Sequence, residues 1–140
     1  MMAFVLDCSV TMAWIFPDEA TDATDRLRNE LLDTRAFVPA LWPVETTNAL
    51  LVATRRGRIA KEEWPALRTH LDALQIDIDP ISSSRTWGTV LDLANAYGIS
   101  AYDAMYLELA VRMHLPLATL DQRLRAGGRS AGVDVLGIDD

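Results

Sequence analysis

The chain breaks into short continuous apolar runs separated by longer stretches with helical periodicity. Residues 3–6 (A-F-V-L) form an unbroken apolar run, the pattern of a parallel strand buried on both faces. It ends at Asp7-Cys8-Ser9, and a helical pattern follows over residues 10–16. Pro17 breaks that helix, and residues 21–32 read as an amphipathic helix. Residues 36–38 predict a second strand, closed by Pro39. Residues 41–56 predict a helix that tolerates Pro43 in its first turn and stops at Gly57. A helix over 61–74, again with an early proline (Pro65), leads to 76–79, which alternates like a strand exposed on one side and ends at Pro80. Ser82 or Ser83 is placed to cap a helix running to Tyr97, with Gly98 beyond its end. Residues 117–120 are strand-like, a short helix over 122–125 stops at Gly127-Gly128, and 133–136 form a last weak strand.

Residues 100–114 (S-A-Y-D-A-M-Y-L-E-L-A-V-R-M-H) are apolar on nearly every helical face, so this helix is expected to be buried on most sides. Ser100 is a good N-cap, and Asp103 three residues later gives an acidic form of the capping box. Strands alternating with helices predict a three-layer α/β/α sandwich with a mainly parallel central sheet. Without repeats, low-complexity tracts or convincing linkers, residues 1–140 are expected to form one domain.

Composition alters this picture in a few places. Only 24% of residues are charged and half are hydrophobic, which suits a folded core and not a disordered chain. The first apolar run ends at Asp7, too early for a signal peptide or membrane span, and the single cysteine, Cys8, allows no internal disulfide. A cytoplasmic protein is the expectation. The net charge of −7 argues against wrapping nucleic acid with a basic surface. The basic residues are nonetheless arginine except for Lys61, and a cluster of acids neutralised by a cation would account for part of the surplus.

In a parallel sheet, ligands bind beyond the carboxyl ends of the strands. Asp7 ends the first strand, Asp121 follows the strand near 117, Asp103 opens the buried helix, and Glu45 lies one turn into the helix after strand two. Each has a plain structural reading: Asp7 and Asp121 as N-caps, Glu45 and Asp103 as first-turn acids facing a helix dipole. Together, four carboxylates without a nearby lysine would raise one another's pKa values. A divalent cation resolves that conflict, and oxygen ligands suit Mg²⁺ or Mn²⁺, whereas Cys8, His70 and His114 lack zinc-ligand spacing.

The segments D-C-S at 7–9, P-A-L-W-P-V-E-T-T-N-A-L at 39–50, S-A-Y-D-A-M-Y-L-E-L-A at 100–110 and T-L-D-Q-R-L at 119–124 resemble PIN-domain ribonucleases, and among these the VapC toxins of toxin–antitoxin pairs. The resemblance implies a PIN-like fold and metal-dependent endoribonuclease activity that inhibits translation until an antitoxin neutralises it. It implies Mg²⁺ or Mn²⁺ held by Asp7, Glu45, Asp103 and Asp121, with Ser9, Asn48 and Thr119 as supporting polar residues. It further implies a VapB-like antitoxin seated in a groove, a homodimer and an RNA substrate, transfer RNA being the commonest target class. Where such proteins sometimes carry a further acid after the fourth, this chain has Gln122, Arg123 and Arg125.

Arg55, Arg56 and Arg58 at a helix end, and Arg123, Arg125 and Arg129 near the acids, are candidate RNA-phosphate contacts. Trp14 and Trp42 are candidates for stacking on a base. A dehalogenase-type phosphatase would need an acid at position 9, a receiver domain a lysine after a late strand, and a dinucleotide fold a G-x-G-x-x-G; none is present. The alternative is a PIN-like scaffold that binds antitoxin or RNA without cutting.

Overall fold

The computed structural model describes residues 2–80 and 83–139. Five short strands run through it: β1 (Phe4–Leu6), β2 (Ala36–Pro39), β3 (Ile76–Asp79), β4 (Leu117–Ala118) and β5 (Val135–Leu136). They form one sheet in the order β3-β2-β1-β4-β5, and every pairing is parallel. Val5 pairs with Phe37 on one side and Leu117 on the other, so β1 is the central strand, and all of its residues are buried. That is why residues 3–6 read as continuously apolar. β3 is an edge strand, which accounts for its polar alternation.

Chain order dictates the layers. From β1 the chain steps outward to β2 and then β3, through α1 (Cys8–Ile15), α2 (Asp22–Glu30), α3 (Trp42–Arg55) and α4 (Trp64–Asp72). It then crosses back to β4 and continues to β5, through α5 (Ser83–Arg85), a π-helical turn (Thr86–Val90), α6 (Leu91–Tyr97), α7 (Ala101–Met113) and α8 (Gln122–Ser130). Parallel crossovers are right-handed, so reversing the direction of travel puts α1–α4 on one face and α5–α8 on the other. The packing agrees: α1 contacts α2 and α3, while α7 contacts α6, α8 and strands β1, β2 and β4. This is the expected three-layer α/β arrangement.

Several expected boundaries shift for identifiable reasons. The first helix begins at Cys8, not residue 10, because Asp7 caps it by accepting from the Ser9 backbone N–H. Residues 61–63 form a 3₁₀ turn before α4, whose first turn carries Pro65. Gly98 ends α6 in the left-handed region at φ +64°, as expected of a residue beyond a helix end. Ser82, named as a cap for this region, lies outside the described residues, as does the side chain of Ser83.

The expected stop at Gly127-Gly128 is wrong: α8 runs through both glycines to Ser130. Their role is close packing. A Cβ on Gly128 would stand 3.0 Å from Val135 Cγ1, and one on Gly127 would stand 3.4 Å from Ile99 Cγ2. Lacking side chains, the two residues let α8 lie against β5 and the turn before α7. No helix among the described residues is long and apolar enough to cross a membrane.

Helix α7 is less uniformly buried than its sequence predicts. Tyr102 is 62% exposed and Val111 is 39% exposed, whereas the charged Glu108 is only 2% exposed. Glu108 survives burial because it is fully engaged: it accepts from Arg112 Nε at 2.7 Å and Arg85 Nη1 at 3.0 Å, and Arg112 also binds Asp79. This network joins α7 to α5 and to the end of edge strand β3. Replacing Glu108 by Ala is expected to lower unfolding free energy by about 2 kcal/mol in a denaturant titration, since it removes the buried carboxylate that accepts from both Arg85 and Arg112. Arg35→Ala, which removes an exposed pair with Asp77, should cost less than about 1 kcal/mol in the same assay.

Candidate active site

The strand order reverses between β1 and β4, where the loops leaving neighbouring strands diverge to opposite faces and open a crevice. Asp7 leaves β1 at this point, and Thr119-Leu120-Asp121 leaves β4 beside it. Asp7 is buried, and its Oδ2 accepts from Ser9 Oγ at 2.6 Å and from Thr119 Oγ1 at 2.8 Å. The two hydroxyls also complete the loop: Ser9 Oγ accepts from the Leu120 N–H at 2.9 Å, and Thr119 Oγ1 accepts from the Asp121 N–H at 3.1 Å. One short hydrogen-bonded set therefore links the ends of the two central strands. Burial pushes the Asp7 carboxyl above its usual range, and the bonds from Ser9 and Thr119 oppose that.

Each of the other acids stands at a helix N-terminus. Asp121 caps α8, accepting from the Leu124 N–H at 2.9 Å, and is exposed. Asp103 lies in the first turn of α7, whose cap Ser100 accepts from the Asp103 N–H at 3.0 Å. Glu45 lies in the first turn of α3 and accepts a close hydrogen bond from the hydroxyl of Tyr106 on α7. The structural readings of Asp7 and Asp121 as caps thus hold, and they do not compete with proximity. Asp103 is pushed up to about 6, first by burial and then by the negative charges of Asp121, Asp7 and Glu45. Glu45 is also raised, by burial and by Asp7, against the opposing bond from Tyr106. The four carboxylates from four segments therefore share one edge, where the charges of the other three act on Asp103.

Carboxylate oxygens are the donors that a hard cation takes, but they do not form a closed cage here. Among the described residues, no three His, Cys, Asp or Glu side chains stand close enough to chelate an ion as placed. An ion would engage these acids through waters, or after side chains turn inward. Ser9 and Thr119 join the site directly, whereas Asn48 is exposed on α3, one turn beyond Glu45. Cys8, between Asp7 and Ser9, is half-buried and its thiol is pushed up to about 12, so it stays protonated near neutrality.

The arginines divide differently from the expectation. Arg125 cannot contact RNA: it is 2% exposed, and its Nη1 donates to the carbonyls of Thr119 at 2.8 Å and Leu136 at 2.9 Å. It pins the loop that carries Asp121 to the end of β5. Arg58 is engaged with Asp18 and Glu19 and lies over the Phe16 ring, so its charge is already matched. Arg55 and Arg56 are exposed, yet they end a helix that starts near Glu45, about 15 Å away along its axis. Arg123 is exposed on the first turn after Asp121 and is the better placed of the named cations. Trp14 and Trp42 are not free to stack on a base, since both are buried and their indole N–H groups bond Thr24 O at 2.7 Å and Thr11 Oγ1 at 3.0 Å.

The sequence reading overlooked Tyr106 and misassigned Arg125. A signal for Tyr106 existed: three residues after Asp103, it lies on the same helical face, and a buried phenol needs a polar partner. Arg125 gave no such signal, because its two carbonyl acceptors are far from it in helical spacing.

A parallel α/β sheet with four carboxylates gathered at its strand-order switch defines an α/β protein with an acidic crevice. The chain belongs to the PIN domain family, whose model matches residues 4–129. It is 26% identical to the ribonuclease VapC3 of Pyrobaculum aerophilum, over 88% of this chain and 92% of that one. Three solved structures share its fold, each with a TM-score of 0.65 and each covering 96% of this chain. The PAE2754 protein of Pyrobaculum aerophilum is 24% identical and 92% covered. VapBC2 of Rickettsia felis, bound to a DNA fragment from its promoter, is 13% identical and 97% covered. FitAcB of Neisseria gonorrhoeae is 17% identical and 96% covered.

Two tests follow from this geometry. Asp103 has a folded-state pKa above its unfolded one, so the native state binds more protons between about pH 4 and 6. Stability in EDTA should therefore fall as pH rises through that window, and the raised pKa values of Asp7 and Glu45 act in the same direction. Asp103→Asn should flatten the fall and melt above the wild type at pH 7 in EDTA; thermal melts across pH check this. Separately, Arg125→Met should lower unfolding free energy by about 3 kcal/mol by stripping buried carbonyls of their donor, whereas Arg123→Ala should leave it within about 0.5 kcal/mol.

Proposed function

We propose that this protein is a metal-dependent endoribonuclease that acts as the toxin of a toxin–antitoxin pair, with transfer RNA as its substrate class and inhibited translation as its effect. The observation that carries the reading is the placement of Asp7, Glu45, Asp103 and Asp121 at one crevice, where the charges of the other three raise Asp103 and that of Asp7 raises Glu45. Acids held together against repulsion, with the only lysine at position 61 in a turn before α4, suit a cation that neutralises them. The sequence likeness to a VapC ribonuclease and the fold likeness to VapBC2 and FitAcB support the same reading.

In this reading Asp7 and Asp103 hold the principal Mg²⁺ or Mn²⁺, and Glu45 and Asp121 complete the site through water or a second ion. A cation held by Asp7 and Asp103 would supply positive charge to a phosphate oxygen and to the leaving oxygen, and would lower the pKa of an attacking water. The protein's part is orientation. Ser9 and Thr119 both donate to Oδ2 of Asp7, which fixes the carboxylate and leaves Oδ1 unclaimed by either hydroxyl. The strand ends hold Asp7 and Asp121 on one rigid base, and Arg123 offers a cation beside it for the RNA backbone.

An antitoxin partner has a suitable surface. A groove of about 570 Å³ runs between α3, α4 and β3, lined by Trp42, Leu50, Leu51, Trp64, Leu71 and Ile78 among others. An amphipathic helix laid there would cover apolar surface otherwise in water. A homodimer acting in the cytoplasm completes the proposal. The absence of a closed cage among the described acids favours a second reading, a scaffold that binds antitoxin or RNA without cutting.

Incubating purified protein with total transfer RNA and Mn²⁺ or Mg²⁺, with EDTA and Asp103→Asn as controls, decides between them. The nuclease reading expects discrete cuts that both controls abolish, with Asp103→Asn reducing the rate at least about 100-fold. Intact RNA, together with melting temperatures that ignore the metal, would establish the scaffold instead.

A further inference from the structure

We infer that Tyr106 is a positioning residue for the acidic site: its hydroxyl holds Oε1 of Glu45 and so presents Oε2 to a bound cation or its water. The inference rests on the metal-dependent reading above. Tyr106 is 0% exposed and its ring belongs to the main core with Leu107, Leu109 and Phe4. With few torsions and a close-packed ring, its hydroxyl is a fixed point. Glu45 is the opposite case: a half-buried, flexible side chain on a helix whose first turn carries exposed Val44. The bond from Tyr106 Oη to Glu45 Oε1 thus transfers the rigidity of the core to an otherwise mobile carboxylate.

The choice of residue matters as much as its place. Lysine or arginine at this position would orient Glu45 but cancel its charge, leaving less for a cation. A phenol orients the carboxylate and leaves it anionic. Placement on α7 adds a second constraint. Tyr106 follows Asp103 by three residues and lies one turn deeper on the same face. One helix therefore contributes an acid of its own and fixes the acid of α3, so the separation of Asp103 and Glu45 is set by the packing of α7 and not by loop conformation.

Tyr106→Phe removes one oxygen and keeps the ring, and Mn²⁺ is the probe. In EDTA the variant is expected to unfold cooperatively with a melting temperature near that of the wild type. The Mn²⁺ concentration giving half of the maximal melting shift should rise about 10- to 100-fold. At saturating RNA, kcat should fall by a similar factor at fixed Mn²⁺ while KM for RNA stays unchanged, and raising Mn²⁺ should restore it. Combined with Glu45→Gln, the substitution should add no further loss. A wild-type Mn²⁺ dependence and kcat in folded Tyr106→Phe would overturn the inference, as would equal losses in the presence and absence of Glu45. The two failures separate cleanly. RNA cleavage that Tyr106→Phe leaves untouched sinks the positioning role alone. A Mn²⁺ shift weakened by Tyr106→Phe in a protein that cuts no RNA sinks the nuclease reading and keeps the positioning role.

Discussion

The short hydrogen-bonded set around Asp7 is the interaction on which the site depends. A carboxylate at the end of the central strand of a parallel sheet is buried by construction, because helices cover both faces of that strand. Such a group is tolerable only when its oxygens are satisfied. Ser9 and Thr119 meet that requirement at Oδ2, from the two loops that diverge at the strand-order switch. The same hydroxyls accept from the Leu120 and Asp121 backbones, so satisfying Asp7 also sets where Asp121 lies. Arg125 secures the other side of that loop from beneath, bonding Thr119 and Leu136. Solvation of one buried acid thereby fixes the position of a second.

The fold offers a partial answer to the repulsion this creates. All four acids stand at or within the first turn of a helix, at the cap of α1 and α8 and in the first turn of α3 and α7. The positive ends of the helix dipoles and their unpaired N–H groups favour negative charge there. That answer is incomplete, since Asp103 is still pushed up to about 6. Carboxylates that the fold brings together and only half stabilises lower the stability of the protein alone. They also leave a binding energy available to whatever cation neutralises them.

Much of this was legible because strong local rules and tertiary structure agree. The apolar run at 3–6 is central and buried, and the strand-to-acid pattern at Asp7 and Asp121 places both at the carboxyl edge of the sheet. Caps at Asp7, Ser100 and Asp121 follow from residue type and spacing. The errors share one cause: a tertiary contact overrode a local rule. Gly127 and Gly128 read as a stop, yet α8 needs their missing side chains to approach β5. Arg125 read as an RNA-phosphate contact, yet its partners are carbonyls of the loop after β4 and of β5 that helical spacing cannot reveal. Helix α7 read as buried on most sides, yet Tyr102 and Val111 are exposed and the buried Glu108 takes one of its arginines from another element.

These exceptions also show how the two helical layers are joined through polar contacts. The apolar core would tolerate small slides of α7 over the sheet, because hydrophobic contact is not directional. Hydrogen bonds are directional, and Tyr106 and Glu108, on different faces of α7, each lead to bonds that reach other elements. Tyr106 binds α3 on the far side of the sheet's carboxyl edge, and Glu108 with Arg112 binds α5 and the end of β3. Two such ties, less than one turn apart along the chain, fix both the rotation and the axial position of the helix. Asp103 is borne on that same helix, so its distance from Glu45 is held by side chains buried beneath it. A carboxylate on a loop would have drifted away from the others to relieve repulsion. Here the acids are kept together because moving one would break part-buried polar bonds, and water offsets only part of each such loss.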